Sequence, residues 1–480
     1  MSDASLAGPQ TGRIVRRAAD SAATIGRVRA GRAGRVAAFR HALQPMRTVL
    51  LGFLVAVVVG AVLLALPVAK AGPGGASWNE ALFTAVSSVT VTGLTVTDTA
   101  TYWSGFGQVV ILVLVQLGGL GVMTFATFVG IVVVRRMSLS NRLASATENR
   151  SLGLIDARSI IVGAAATSLV IEGVAAAILT ARFALGDGQA FPEALWSGVF
   201  HGVMAFNNAG FVLFSDNMVG FVSDPIVCLT LAFATILGGL GFPVLIQLRR
   251  HLRTPRLWSM NTRLVLAVTS ALFLAGWAYI TILEWSNPAT LGRYDPATRV
   301  LAGFFQSVQT RTSGFNTVDI GEMREGTLFG MDVLMFIGGG PAGTSGGIKV
   351  TTFGVLLFIL IAEIRGDTAV NVFGKRLSRA VHREAITVAL LSVAFVAAAT
   401  VALLLLTGLP LGPVLFESVS AFATTGLSTG ITPDLSPPAQ ILLCVLMLVG
   451  RIGPITFASA LALRTRGIMY RYPKERPIVG

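Results

Sequence analysis

The sequence predicts an all-α integral membrane protein, with four repeats of outer helix, re-entrant loop and inner helix arranged pseudo-four-fold around a central axis. Three observations predict it. Of 480 residues, 53% are hydrophobic and only 12% charged, about half the charge of a soluble globular domain. Several apolar runs reach about twenty residues, the length that crosses a hydrocarbon core. A short pattern ending in glycine recurs four times at matched places between those runs.

The charge excess of +14 is concentrated in segments flanking the apolar runs. Residues 1–47 hold nine Arg, and 135–158, 249–263, 364–383 and 464–480 hold five basic residues each. The intervening connection 183–224 has no Lys or Arg but carries Asp187, Glu193, Asp216 and Asp224. By the positive-inside rule the basic segments, and with them both termini, are expected on the cytoplasmic side of the membrane. A nucleic-acid binder would gather its basic residues on one face, not in alternating loops. Residues 1–45 read as a basic cytoplasmic tail able to touch anionic headgroups, not as a cleavable signal. Residues 465–480 read as a second tail. Cys228 and Cys444 both sit in apolar runs, so no disulfide framework is expected.

Taken in order, apolar runs occupy about 46–66, 105–134, 159–182, 225–248, 262–283, 331–362, 384–407 and 439–463. They pair into repeats at 46–134, 158–248, 261–363 and 381–464, and inside each pair lies a half-apolar stretch too short to span: 78–93, 194–210, 298–314 and 412–426. The repeat can be phased on Gly93, Gly210, Gly314 and Gly426, spaced 117, 104 and 112 residues apart. Ten positions before each stands Phe83, Phe200, Phe304 or Phe416, and one after stands Leu94, Phe211, Phe315 or Leu427. The runs that close on the glycines are Val91-Thr92-Gly93, Asn208-Ala209-Gly210, Thr312-Ser313-Gly314 and Thr424-Thr425-Gly426. Every short stretch falls on the acid-rich side, so the units repeat in one orientation.

Further small residues, Gly118-Gly119, Gly238-Gly239, Gly338-Gly339 and Gly450, mark the inner helices. Close helix packing accounts for them in units one, two and four. Unit three differs, because Gly338-Gly339-Gly340-Pro341-Ala342-Gly343-Thr344-Ser345-Gly346-Gly347-Ile348-Lys349 cannot stay helical. A broken helix at membrane depth is tolerated only where it is buried in protein or lines water. Four glycine-centred runs around one axis would supply rings of backbone carbonyls that replace a cation's hydration shell. The short helices before them would aim their C-terminal dipole ends at the same centre.

These loops, with the 338–349 run, resemble the Trk/Ktr/HKT superfamily of potassium transporters, and most closely its Ktr-type (KtrB-like) membrane subunit. The resemblance covers nearly all of 46–480 and includes the ending Arg471-Tyr472-Pro473-Lys474. It implies a single-chain fold resembling a tetrameric potassium channel, with potassium as substrate. It implies that the four aligned glycines are filter glycines and that Gly338–Lys349 is an intramembrane gating loop. Glycine at all four positions is similar to the potassium-conducting pattern of the family. Arg451 resembles the family's last-helix arginine, which adds an electrostatic barrier to the pore and hydrogen-bonds the loop. The resemblance also implies a homodimer, a cytosolic nucleotide-binding ring of RCK type (KtrA-like), and sodium activation. No cofactor is expected beyond these ions.

Other residues admit two readings. Lys349 either closes the loop against a carboxylate or carbonyl, or snorkels. Arg311 either buttresses the pore loop or pairs with Glu322 or Asp319 at the outer mouth. Glu172, mid-helix, is expected to make a structural hydrogen bond rather than relay ions. Asp98 and Asp319, each five residues past a filter glycine, can concentrate cations at the entrance. Enzyme readings fail: the 338–349 run lacks the adjacent Gly-Lys-Ser/Thr of a phosphate loop, with Ile348 before Lys349 and Val350 after it. The rival function, an organic-solute secondary transporter, would require inverted repeats and a midplane site.

Overall fold

The structure is a computed structural model that describes residues 50–135 and 157–453, giving only the backbone for 122–135 and 157–161. The tails 1–45 and 465–480, the basic segment 136–156 and the end of unit four at 454–464 lie outside the described residues. The four repeats belong to one compact unit, Gly52–Ala458.

Four outer helices, Leu50–Ala65, Ala157–Gly186, Met260–Glu284 and Arg379–Thr407, each lead into a short helix: Trp78–Val89, Phe191–Asn207, Pro296–Thr312 and Leu411–Ala423. The outer helices of units two, three and four are long and apolar enough to cross a membrane. Their outward faces remain exposed at Val170, Leu274, Leu390 and Leu405. Such faces would drive aggregation in water but match lipid tails, which are as apolar as leucine.

The short helices are the reverse: past an exposed first turn or two, their C-terminal portions are almost wholly buried. Ser77 and Glu80 form a capping box that starts the first. Asp295 caps the third by accepting from the amides of Ala297 and Thr298, and prolines open the second and third. Phe83, Phe200 and Phe416 are fully buried, as their common phase predicts. Unit three departs from that phase. Phe304 is half-buried against Trp277, with ring centroids 5.7 Å apart, and Phe305 takes the buried place. One residue is 100° around a helix, so this short helix presents a different face to its neighbours.

The inner helices close the assembly. That of unit one packs on the short helix of unit two, unit two on three, unit three on four, and unit four back on one. The glycines expected to mediate close packing do so. A Cβ on Gly118, Gly238 or Gly450 would stand 2.9, 2.9 and 2.7 Å from the carbonyl carbons of Val89, Phe206 and Phe422. Each of those residues lies four before its unit's aligned glycine, so three units share one contact.

Two inner helices break. Unit three is helical over Glu325–Phe336 and Val350–Arg365, with the glycine-rich run between. The 225–248 run, read from sequence as one straight span, is instead Pro225–Leu240 and Phe242–His251, bent by 100°. The hinge is Gly241 at φ +89°, and Gly453 ends the unit-four helix at φ +93°, each three residues past its packing glycine. A positive φ of this kind is open to glycine at no steric cost. The bend makes room for the loop of unit three: Phe242 N–H donates to the Ala342 carbonyl at 3.2 Å. Between units three and four, Asn371–Val372 pairs antiparallel with Lys375–Arg376.

Candidate functional site: the glycine ring and the intramembrane loop

The four aligned glycines meet. A Cβ on Gly93 would lie 2.6 Å from Gly210 Cα, one on Gly210 2.8 Å from the Ser313 carbonyl oxygen, and one on Gly314 2.5 Å from that of Thr425. One on Gly426 would collide with the Thr92 carbonyl, closing the circuit. Each unit's glycine therefore abuts the backbone of the next unit in chain order, with no room for any side chain between them. Gly93, Gly314 and Gly426 also take φ of +86°, +78° and +91°.

The residues before the glycines are buried: Val91, Thr92, Asn208, Ala209, Ser313, Thr424 and Thr425 at 0%, and Thr312 at 4%. Val91, Asn208 and Thr424, each two before its glycine, hold positive φ of +57°, +61° and +49°. For β-branched Val and Thr this is strained backbone, which persists only where surrounding structure over-determines it. Unit three lacks the feature, since Thr312 is still helical and Ser313 lies at φ −127°. Gly93 N–H and Gly426 N–H each donate to a serine hydroxyl six residues back, Ser87 Oγ and Ser420 Oγ, both at 3.1 Å. Met204 and Val308 occupy that offset in the other two units.

A cavity of about 250 Å³ opens against the residues that follow the glycines. Gly93, Gly210 and Gly426 line it, with Asp98, Asp319 and Asn316 in its walls. Asp98 accepts from Ser215 Oγ at 2.6 Å, Thr101 Oγ1 at 2.8 Å and Ala100 N–H at 2.9 Å. Burial pushes its carboxyl up, but those hydrogen bonds outweigh burial and hold it below the usual carboxylate range. The wall thus keeps negative charge where a cation would arrive.

On the other side, the 338–349 run packs against residues that precede the glycines. A Cβ on Gly346 would lie 2.9 Å from the Ala423 carbonyl oxygen, and Gly347 also faces Ala423. The run is tied at its base, where Gly338 N–H donates to Ile348 O at 2.8 Å and Val350 N–H to Gly339 O at 3.0 Å. Gly343 N–H donates to Gly340 O within the run at 3.2 Å. Two further amides reach unit two: Gly340 N–H donates to Gly239 O at 2.7 Å, and Thr344 N–H to Gly238 O at 3.2 Å. Pro341 lies at the Gly241 hinge. Ser345 supplies its carbonyl to Lys349 Nζ at 2.5 Å, so Lys349 closes the loop on a carbonyl.

Arg451 is buried inside the protein, 4% exposed. Its guanidinium donates to the Thr344 carbonyl in the loop and to Gly118 O of unit one at 3.2 Å. Arg311 is equally buried and donates to Gly338 O at 2.7 Å, over the Phe273 ring at 4.6 Å. Its alternative partners Glu322 and Asp319 are not used; among the described residues the ion pairs are those of Arg182 with Asp187 and Asp224. Two guanidinium groups thus hold the loop through carbonyls, with no carboxylate among the described residues paired to cancel their charge.

Glu172 makes structural hydrogen bonds, accepting from Ser168 Oγ at 2.5 Å and from Gln116 and Asn207 amides at 3.1 Å. Sequence reasoning missed Glu417. Its carboxylate accepts from Thr429 N–H at 3.1 Å and Thr432 Oγ1 at 2.9 Å, and from Ser428 Oγ, pinning the chain beyond Gly426. A lone acid in an apolar stretch carries no spacing that would reveal this. The anchoring serines were visible only as the same residue six before the glycine in two units of four.

Comparison with known proteins agrees with this geometry. The profile of the TrkH family, described as a cation transport protein, matches residues 72–465. The Ktr system potassium uptake protein B of Bacillus subtilis (strain 168) is 39% identical, over 91% of this chain and 97% of that protein. The protein of the same name from Vibrio alginolyticus is 36% identical, over 90% and 94%. The crystal structure of the potassium transporter TrkH from Vibrio parahaemolyticus superposes with a TM-score of 0.65 at 18% identity, covering 86% of this chain and 85% of that one. That likeness is one of fold, and it is the fold expected from the repeats. From a family match spanning four-fifths of its length and relatives of matching extent, the chain belongs to the TrkH family of cation transport proteins.

Proposed function

We propose that this chain is the ion-translocating subunit of a Ktr/Trk-type potassium uptake system, a multi-pass protein of a bacterial plasma membrane with both termini cytoplasmic. Potassium passes through the glycine ring, where backbone carbonyls of Thr92, Ala209, Ser313, Thr425 and the four glycines replace its water. The observation that carries this reading is the closed circuit in which each glycine abuts the next unit's backbone. Carbonyls suit the task because they are dipoles: they strip hydration without binding so tightly that the ion cannot leave. The short helices end two to four residues before the glycines, so their dipoles favour a cation there.

The 338–349 loop acts as the gate and Arg451 as the electrostatic barrier. The loop's contacts with residues preceding the glycines support this, as does the uncompensated guanidinium that holds it. Unlike a pump, the chain needs no nucleotide for transport itself. A cytosolic nucleotide-binding ring of RCK type (KtrA-like) regulates the gate, a reading supported by relatives named as parts of a Ktr system. Two copies form a homodimer, and sodium activates transport. An organic-solute transporter gains no support from relatives named for potassium uptake.

Growth rescue of a potassium-uptake-deficient bacterium tests the reading, with and without a co-expressed regulator. Rescue at low potassium is expected, stronger with the regulator. Absence of rescue by protein that reaches the membrane would contradict it.

A further inference from the structure

Asn208 stands two residues before Gly210 in the unit whose run lacks hydroxyl side chains. It is fully buried and sits at φ +61°, a conformation asparagine tolerates better than most residues. Oriented by its hydrogen-bonding partners, its amide nitrogen donates to Ala205 O and Thr235 O, each at 3.1 Å. Its amide oxygen accepts from Thr312 Oγ1 at 3.2 Å and Thr344 Oγ1 at 3.1 Å. An amide has two N–H donors and two acceptor lone pairs, so every valence is used. The four partners belong to four places: the short and inner helices of unit two, the run of unit three, and the intramembrane loop.

The link to the loop is the one that can change. Thr344 Oγ1 has a single proton and two acceptors in reach, the Asn208 amide oxygen and Phe206 O at 3.2 Å. Both acceptors lie within four residues of Gly210. The same residue's carbonyl receives Arg451, and its N–H donates to Gly238 O. If the loop withdraws, Thr344 leaves as a unit, and the amide loses a partner. The remaining bond to Thr312 must then readjust at the seam between units two and three.

We propose that Asn208 is a positioning residue that couples the intramembrane loop to the ring wall where units two and three meet, so that the loop's position sets how well the ring discriminates potassium from sodium. This rests on the ring acting as filter and the loop as gate. It predicts that selectivity and gating are not independent in this protein.

The test is the potassium-to-sodium permeability ratio of the purified full chain in liposomes under opposed gradients of the two ions. Thr344→Val removes the hydroxyl but keeps the backbone bonds to Gly238 and Arg451. Asn208→Gly removes the amide while tolerating the positive φ. Each is expected to lower the ratio about fivefold, the factor of one ordinary hydrogen bond. The double variant should be no worse than the more affected single one, and Thr344→Ser should restore the ratio. Effects that multiply, or an unchanged ratio in Thr344→Val, would overturn the coupling. Gly93→Ser separates the two failures. If it shifts the ratio while Thr344→Val does not, only the coupling falls; if neither shifts it, the filter reading falls as well.

Discussion

Unit three and the other three units use the same small residues for opposite purposes. Gly118, Gly238 and Gly450 let an inner helix approach the end of its own short helix, against Val89, Phe206 and Phe422. At the matching place Gly338 touches its own loop instead, with a Cβ falling 3.2 Å from the carbonyl carbon of Gly346. One glycine pair in a helix permits close packing; six glycines and a proline in twelve residues destroy the helix altogether. The loop so released occupies space that unit two yields by bending at Gly241. A repeated chain thus acquires an asymmetric part without losing the ring to which all four units contribute.

The sharpest way to break that comparison is to fill the packing contact. Gly450→Ala drives a methyl group into the Phe422 carbonyl and is expected to cost about 3 kcal/mol, the upper range for overpacking. Gly338→Ala should instead disturb the loop and raise ion flux while melting closer to wild type. Equal losses of thermal midpoint in detergent would show that the two glycines do the same job. Shortening 340–347 comes next. It removes the Thr344 carbonyl that receives Arg451, and flux in liposomes should rise about tenfold, within the worth of a charge-assisted hydrogen bond. Complete loss of transport in folded protein would count against a gate.

Gly93→Ser sharpens the other side of the comparison, since the ring should be equally intolerant in all units. The side chain meets Gly210 backbone and the φ is positive, so potassium preference over sodium should fall several-fold; unchanged permeability ratios would argue that the ring does not select. The smallest effect is expected at the cavity. Asp98→Asn should reduce uptake about twofold at low ionic strength and have no effect near 1 M salt, where screening acts within about 3 Å. Because its carboxyl is held below the usual range, Asp98 keeps its charge as pH falls through ordinary carboxylate values. Its hydrogen bonds to Ser215 and Thr101 stabilise the fold above the unfolded pKa and are lost only as pH falls through the lower folded one.

Much of the architecture is legible in the residues alone. Glycines in a common phase locate the ring, and the density of glycine after Phe336 locates the broken helix, because both rest on backbone geometry that only small residues permit. Arg451 announces itself as a cation inside an apolar run. The bend at Gly241 does not, since Gly238, Gly239 and Gly241 leave the hydrophobicity of the 225–248 run intact and the first two are already accounted for by helix packing. Nor does the shift from Phe304 to Phe305, because two adjacent phenylalanines carry no phase of their own. Asn208 reads as a missing hydroxyl; its role depends on partners that the fold brings from Thr235, Thr312 and Thr344, up to 136 residues away.

The central claim is that four stretches of one chain jointly coordinate a dehydrated cation. An anomalous-scattering map from crystals grown with rubidium or thallium in place of potassium tests it most directly. Peaks on the axis shared by Gly93, Gly210, Gly314 and Gly426 are the result this account predicts. Occupied sites elsewhere, with that axis empty, would contradict it.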